Sequence, residues 1–119
     1  MLVEEVQVSG VQLIHGDCLA VLPTLEAGSV DAVVCDPPYF LEFMGNGFDR
    51  QHKDSPGAND GQRMQAWHQR WGEVVLRVLK PGAYMLAFGG ARTSHRLTSA
   101  LEDAGFQIRD TLMWLYGSG

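Results

Sequence analysis

Positive charge is missing from the whole first part of this 119-residue chain: no lysine or arginine precedes Arg50. Residues 1–49 hold eight acids, whereas residues 50–119 hold all nine basic residues against six acids. The two parts are therefore −8 and +3, which gives the net charge of −5. A polyanionic surface such as a DNA backbone could meet only the second part comfortably. Cysteine is equally scarce. Cys18 and Cys35 stand alone beside or within apolar runs, which excludes a disulfide-stapled scaffold and predicts reduced, partly buried thiols. His15, His52, His68 and His95 have no metal-like grouping, so no metal is expected. No apolar run approaches membrane-spanning length, and the acidic amino end carries no signal-peptide pattern, so a cytoplasmic protein with no membrane partner is expected. Glycine-rich fingerprints are absent too. Gly82, Gly89-Gly90 and Gly117/Gly119 fit neither a dinucleotide nor a phosphate loop, which argues against a housekeeping dinucleotide-binding fold.

What is present suits one small α/β domain over residues 1–119, with a hydrophobic fraction of 45%. Val11–His15 reads as a short strand, preceded by an extended piece at Val3–Val8. Leu19, Leu22 and Leu25 recur at helical spacing, with Pro23 keeping that helix short. Val30–Cys35 is a second confident strand. This order, with nearly unbroken apolar strands, predicts a mostly parallel sheet covered on both faces. Residues 40–61 form a long polar stretch rich in Gly, Asn and Asp, expected to be a mobile lid. Met64, Trp67, Trp71, Val74, Val75 and Val78 mark a helix over 62–79, whose tryptophans should pack on the sheet rather than stack on bases. Lys80-Pro81-Gly82 stops it, and Ala83–Phe88 predicts a third strand. Thr93 or Ser94 can cap a further helix with Leu97, Leu101 and Ala104 inward and Gly105 as terminator. Arg92 and Arg96, one turn apart on it, read as solvent-exposed charge more readily than as phosphate ligands. Phe106–Leu115 is expected to supply a fourth strand.

Asp36-Pro37-Pro38-Tyr39 follows Val30–Cys35 directly, where a strand ends and a ligand crevice opens. A carboxylate, a stiff turn exposing its carbonyls and an aromatic ring make a clamp for a flat base bearing an amino group. A Pro-rich turn after a strand is the plainer alternative.

These four residues, read with Gly16-Asp17-Cys18 upstream, closely resemble an amino-group DNA methyltransferase of the permuted class, in which the catalytic half precedes the cofactor-motif half. The Leu-rich helix and Gly-Ser-Val-Asp lead, Val78-Leu79-Lys80-Pro81-Gly82 and the closing Trp114-Leu115-Tyr116-Gly117-Ser118-Gly119 extend the similarity over residues 11–119. The resemblance implies part of an S-adenosylmethionine-dependent, Rossmann-like methyltransferase fold, with S-adenosyl-L-methionine as cofactor and double-stranded DNA as partner. It implies DNA methylation, as in restriction-modification, by transfer of a methyl group to a flipped base. Adenine N6 is favoured, because relatives acting on cytosine N4 more often carry Ser at position 36. Asp36 and the Pro37 carbonyl would each accept an amine hydrogen, Pro38 would stiffen the turn, and Tyr39 would stack on the base. Phe40 would line the same pocket. Asp17 would accept from the cofactor's adenine amine and the Cys18 N–H would meet a ring nitrogen, while Asp36 also borders the cofactor. A helix-capping Asp17 is the plainer alternative, and one residue can do both. The family's later aromatic-Gly-x-Gly cofactor loop has no counterpart here. The chain is thus expected to correspond to the amino-terminal catalytic half, to lack independent catalysis, and to self-associate through an exposed sheet edge and an uncovered apolar helix face. A non-catalytic nucleic-acid-binding or structural remnant, or a methyltransferase for RNA or protein amides, are the alternatives.

Overall fold

The first twelve described residues fold back on themselves. Strand β1 (Glu4–Val8) pairs antiparallel with β2 (Val11–His15), in register Glu4↔His15 through Val8↔Val11. Ser9 and Gly10 make the two-residue turn, both at positive φ (48° and 80°), the geometry whose twist suits a tight hairpin. A computed structural model describes residues 4–41 and 50–118. Among them β2 pairs with β1 and not with β3, so the parallel strand–helix–strand unit anticipated from Val11 to Cys35 does not form. A Ser-Gly dipeptide between two alternating runs was the signal for the hairpin.

After β2, α1 (Cys18–Val21) passes into a 3₁₀ turn at Leu22–Thr24 with Pro23 inside it, short as Pro23 requires. Strand β3 (Val30–Cys35) keeps its expected bounds and pairs parallel with β4 (Leu79–Ala87). Parallel pairing is continuous from Ala32↔Tyr84 to Cys35↔Ala87, and Lys80-Pro81-Gly82 bulges out between that stretch and Val30↔Leu79. Gly82 at φ 79° accommodates the bulge.

Between these strands lie α2 (Asp60–Val78) and, before it, a 3₁₀ turn at Gln51–Asp54. The polar stretch 40–61 is therefore not one uninterrupted loop; its residues 42–49 lie outside the described residues. The helix starts two residues earlier than the expected position 62 because Asn59 caps it, accepting from Gln62 N–H at 2.9 Å, while the Gln62 side chain accepts from Ala58 N–H at 2.6 Å. Helix α3 (Ser94–Ala104) ends at Gly105, whose φ of 115° allows Phe106 N–H to return to Leu101 O at 3.0 Å.

One core holds these pieces. Trp71 and Val75 from α2, Leu79 at the start of β4, and Leu97 and Leu101 from α3 are its buried centre. Val30, Val33 and Cys35 of β3 and Ala83, Met85 and Ala87 of β4 face it. Gly72 lets α2 and α3 approach closely, since a Cβ there would meet Leu101 at 3.0 Å and Ala104 at 3.2 Å. The tryptophans pack as expected: Trp71 is buried, and its indole N–H donates to His68 Nδ1 at 3.0 Å.

Three expectations fail. Among the described residues the sheets are one antiparallel pair and one parallel pair rather than a mostly parallel sheet, and the β3–β4 pair is covered on one face only. Apolar surface is left uncovered on the outer face of β3–β4 rather than along a helix: Val34, Tyr84 and Leu86 point to solvent. Phe106–Leu115 forms no strand. Phe106 packs on the core, but Leu112–Leu115 are exposed and no ladder partner exists among the described residues. Apolar alternation sets which side chains share a face; it does not supply the neighbour a strand needs.

Candidate functional site

Residues 36–41 leave the carboxyl end of β3 without regular structure. Pro37 and Pro38 fix much of the turn's backbone, and Phe40 then adopts φ 59°, uncommon for an aromatic residue. Its burial explains the tolerance. Phe40 is 3% exposed and sits among three rings: His52 at 4.5 Å, Trp67 edge-on at 5.2 Å and His68 at 5.0 Å between centroids. Phe40 thus anchors the turn in the core and does not line the clamp, contrary to expectation. The burial of its ring outweighs the cost of the left-handed backbone.

Tyr39 points the other way and is half-buried. Its backbone carbonyl accepts from the Thr93 hydroxyl at 2.8 Å, and its ring packs over Gly90, where an added Cβ would lie 3.3 Å from Cδ2. Thr93 stands at the N-cap of α3 without capping it. Thr93 and Gly90 thus position the aromatic residue, a role that composition could not separate from cap and turn chemistry. The phenol is raised above its ordinary value, first by burial, then by the neighbouring Asp36 carboxylate, with a further contribution from Tyr116. Trp114 of the same closing segment packs edge-on against Phe88, at 5.6 Å. The closing segment thus passes the open end of the sheet.

Asp36 is exposed at the strand end. Asp17 is the N-cap of α1, its Oδ1 accepting from Leu19 N–H at 2.8 Å, so the capping alternative is realised. The two motifs meet through the cysteines. Burial pushes the Cys35 thiol up to about 11, with Asp36 and then Cys18 adding to the shift. Cys18 is raised too, first by burial of its sulfur and then by Asp17. Both are free thiols, and such shifts keep them protonated at neutral pH and unsuited to nucleophilic work. As a whole residue Cys18 is exposed rather than partly buried. Among the described residues no group of His, Cys, Asp and Glu could hold a metal, and no helix is long and apolar enough to cross a membrane.

His68 lies beneath the turn, and burial, aided by nearby His52, lowers it to about 4. The neutral ring is the form that accepts from Trp71. A base with folded pKa about 4 against an unfolded value near 6.5 contributes full stability above the higher value. That contribution falls away as pH drops toward the lower one. We expect denaturant titrations to show a loss of about 2–3 kcal/mol from this group between pH 7.5 and pH 4.5. His68→Gln, which keeps an acceptor for the indole, should reduce the pH-dependent loss by that amount; an unchanged loss would remove His68 as its source.

Residues 30–118 match the model of a family described as DNA methylase. The chain is also similar to the Type II methyltransferase M.HindIII of Haemophilus influenzae, with 26% identity over 84% of this chain and 41% of the relative. A putative methylase, YubD of Escherichia coli, is 33% identical over 82% of this chain and 39% of its own length. The Type II methyltransferase M2.LlaDCHI of Lactococcus lactis subsp. cremoris is 27% identical over 86% and 40%. The chain therefore spans about two-fifths of the length of these relatives. With the family model matching most of its residues, the chain belongs to the DNA methylase family.

Proposed function

We propose that this chain carries the base-holding clamp of a site-specific adenine-N6 DNA methyltransferase that uses S-adenosyl-L-methionine. The observation that carries the reading is the Asp36–Tyr39 turn at the carboxyl end of a parallel strand, with the Asp17-Cys18 helix start beside it. An exocyclic base amine is a poor nucleophile, because its lone pair is delocalised into the ring. Asp36 accepts one amine hydrogen and the Pro37 carbonyl accepts the other. Together they favour a pyramidal nitrogen with its lone pair directed outward. The gain is alignment and electrostatics rather than full deprotonation. Tyr39, backed by Gly90 and tied by Thr93, offers a ring for a base that has left the duplex.

The chain's donors suit the cofactor's adenine end. Asp17 uses Oδ1 for its cap and keeps a second oxygen for an amine. Cys18 is the first residue of α1, so its N–H is among the donors a helix leaves without an internal acceptor. S-adenosyl-L-methionine supplies an electrophilic methyl group on its sulfonium. Among the described residues no wall for its methionine end is found. We therefore propose that residues 1–119 do not turn over by themselves. Incubation of the 119 residues with duplex DNA and S-adenosyl-L-methionine tests this: methylated nucleosides in the digest would overturn it, and calorimetric titration is expected to find no micromolar 1:1 cofactor binding.

For the base, nucleoside mass spectrometry of DNA treated with an active enzyme bearing this sequence should find N6-methyladenine. N4-methylcytosine as sole product would defeat the adenine assignment. In the same assay Tyr39→Phe should keep most activity while Tyr39→Ala loses about tenfold or more, the size of a lost base-stacking contact. Equal losses would remove the stacking role.

A further inference from the structure

Arg96, in the first turn of α3, is not the solvent-exposed charge that its spacing suggested. It is half-buried and reaches across to the start of α2. Its guanidinium lies against Gly61, where an added Cβ would stand 2.8 Å from Cζ, Nε and Nη2. Nη1 donates to Gln65 Oε1 at 3.2 Å, and Nε is buried without a hydrogen-bond partner. Gln65 is fixed from its other end, donating to Asp103 Oδ2 at 3.2 Å. A neutral amide therefore stands between the guanidinium and Asp103, and Arg96 enters no ion pair among the described residues. A half-buried guanidinium with no counter-charge among the described residues keeps its charge available, and its buried Nε–H has no acceptor.

These groups line an open cavity of about 340 Å³ formed by Gln62, Gln65, Ala66, Gln69 and Arg96. Gln62 Oε1 is occupied by Ala58 N–H, so its amide has donors to offer. Gln69 gives its own donor to Glu73, at 3.0 Å, so two carboxylates, Glu73 and Asp103, stand behind the cavity, each held by a lining amide. Asp60 is already held by Lys53 and Arg63. The cavity thus presents guanidinium and amide donors, a set that suits an anionic oxygen. Its position matters as much. Arg96 N–H bonds the carbonyl of Thr93, whose hydroxyl holds Tyr39 O, so cavity and clamp share one short segment.

We infer that Arg96, with Gln62 and Gln65, binds a backbone phosphate of the DNA strand whose base is presented to Tyr39. This rests on the DNA-substrate reading above. The test is the salt dependence of binding of a short fluorescent duplex by the protein, followed by anisotropy, together with the Arg96 Nε–Hε resonance in ¹⁵N-labelled protein. The expected result for Arg96→Gln is affinity about tenfold weaker at low salt and a log–log salt slope smaller by about 1, one phosphate contact. Arg96→Lys should keep the slope while recovering only part of the affinity. Gly61→Ala, which displaces the guanidinium and keeps its charge, should weaken binding with the slope retained. The exposed Arg109→Gln should leave the slope unchanged. The Arg96 resonance should move on adding duplex. A duplex that binds with the same slope to wild type and Arg96→Gln overturns the inference, as does an equal drop for Arg109→Gln. A resonance shift with inorganic phosphate but none with duplex overturns it in favour of a free-anion site. No duplex binding by the wild type overturns it as well. An Arg96-dependent slope together with undiminished activity of Tyr39→Ala in an active enzyme bearing this sequence would keep the phosphate site and remove the clamp, so the two readings fail separately.

Discussion

Asp36→Ala is expected to abolish methyl transfer in an active enzyme bearing this sequence, with a loss of at least about 10²–10³ in rate and little change in stability. The size follows from what an oriented acceptor does for a delocalised amine. Removing one pre-positioned polar group from a site where charge develops costs a few kcal/mol of transition-state stabilisation. The small effect on folding follows from exposure: Asp36 is at the strand end and outside the buried core. Asp36→Asn should fall between the two, keeping an acceptor oxygen while losing the charge. Single-turnover methylation and thermal unfolding on the same preparations separate the effects. Activity within about tenfold of wild type in Asp36→Ala would remove Asp36 from the chemistry. A collapse of Tm alongside activity would instead make Asp36 a structural residue. Asp36 also helps raise the Tyr39 phenol. Spectrophotometric titration should accordingly find that phenol lower in Asp36→Ala than in the wild type.

The parts of this molecule legible in its sequence are those decided locally. The bounds of β3 follow from an apolar run ended by Pro37. The end of α3 follows from Gly105, and the inward stripe of α2 from the spacing of Trp71, Val75 and Val78. Asp17 and Asp36–Tyr39 were nameable because each abuts such an element. What the sequence hid depends on partners distant along the chain. The Thr93 hydroxyl serves Tyr39, 54 residues away, rather than its own helix. Arg96 answers to Gln65 and Gly61 on another helix. Phe40 reads as a pocket residue from its place beside Tyr39, yet a reversal of the backbone sends it into the core. The strand anticipated at Phe106–Leu115 failed for the same reason in reverse: its pattern is right and its neighbour is absent from the described residues.

The outer face of β3–β4 is where that missing neighbour has its largest consequence. In a parallel pair, partners in register lie on one face, so Val34↔Leu86 and Ala32↔Tyr84 turn the same way, while Val33↔Met85 and Cys35↔Ala87 turn to the core. Val34, Tyr84 and Leu86 are 71%, 67% and 53% exposed. Strands buried on one side only normally alternate apolar with polar residues; β3 and β4 are apolar on both sides over this stretch, the pattern of a sheet covered twice. The exposed Trp114, packed on Phe88 at the end of the same face, extends the patch toward Tyr39. Apolar surface of this kind associates. We therefore expect the 119 residues to be oligomeric or to aggregate at tens of micromolar, with an apparent mass in sedimentation velocity that rises with concentration. The double variant Val34→Lys, Leu86→Lys should shift it to a 13.1 kDa monomer. Because both side chains already face water, helix content and the unfolding midpoint should stay close to wild type. A wild-type chain monomeric across the whole range would show that this face needs no cover. Association that persists in the double variant would move the contact elsewhere, to the exposed Val6, Val8, Val11 and Leu13 of the β1–β2 hairpin.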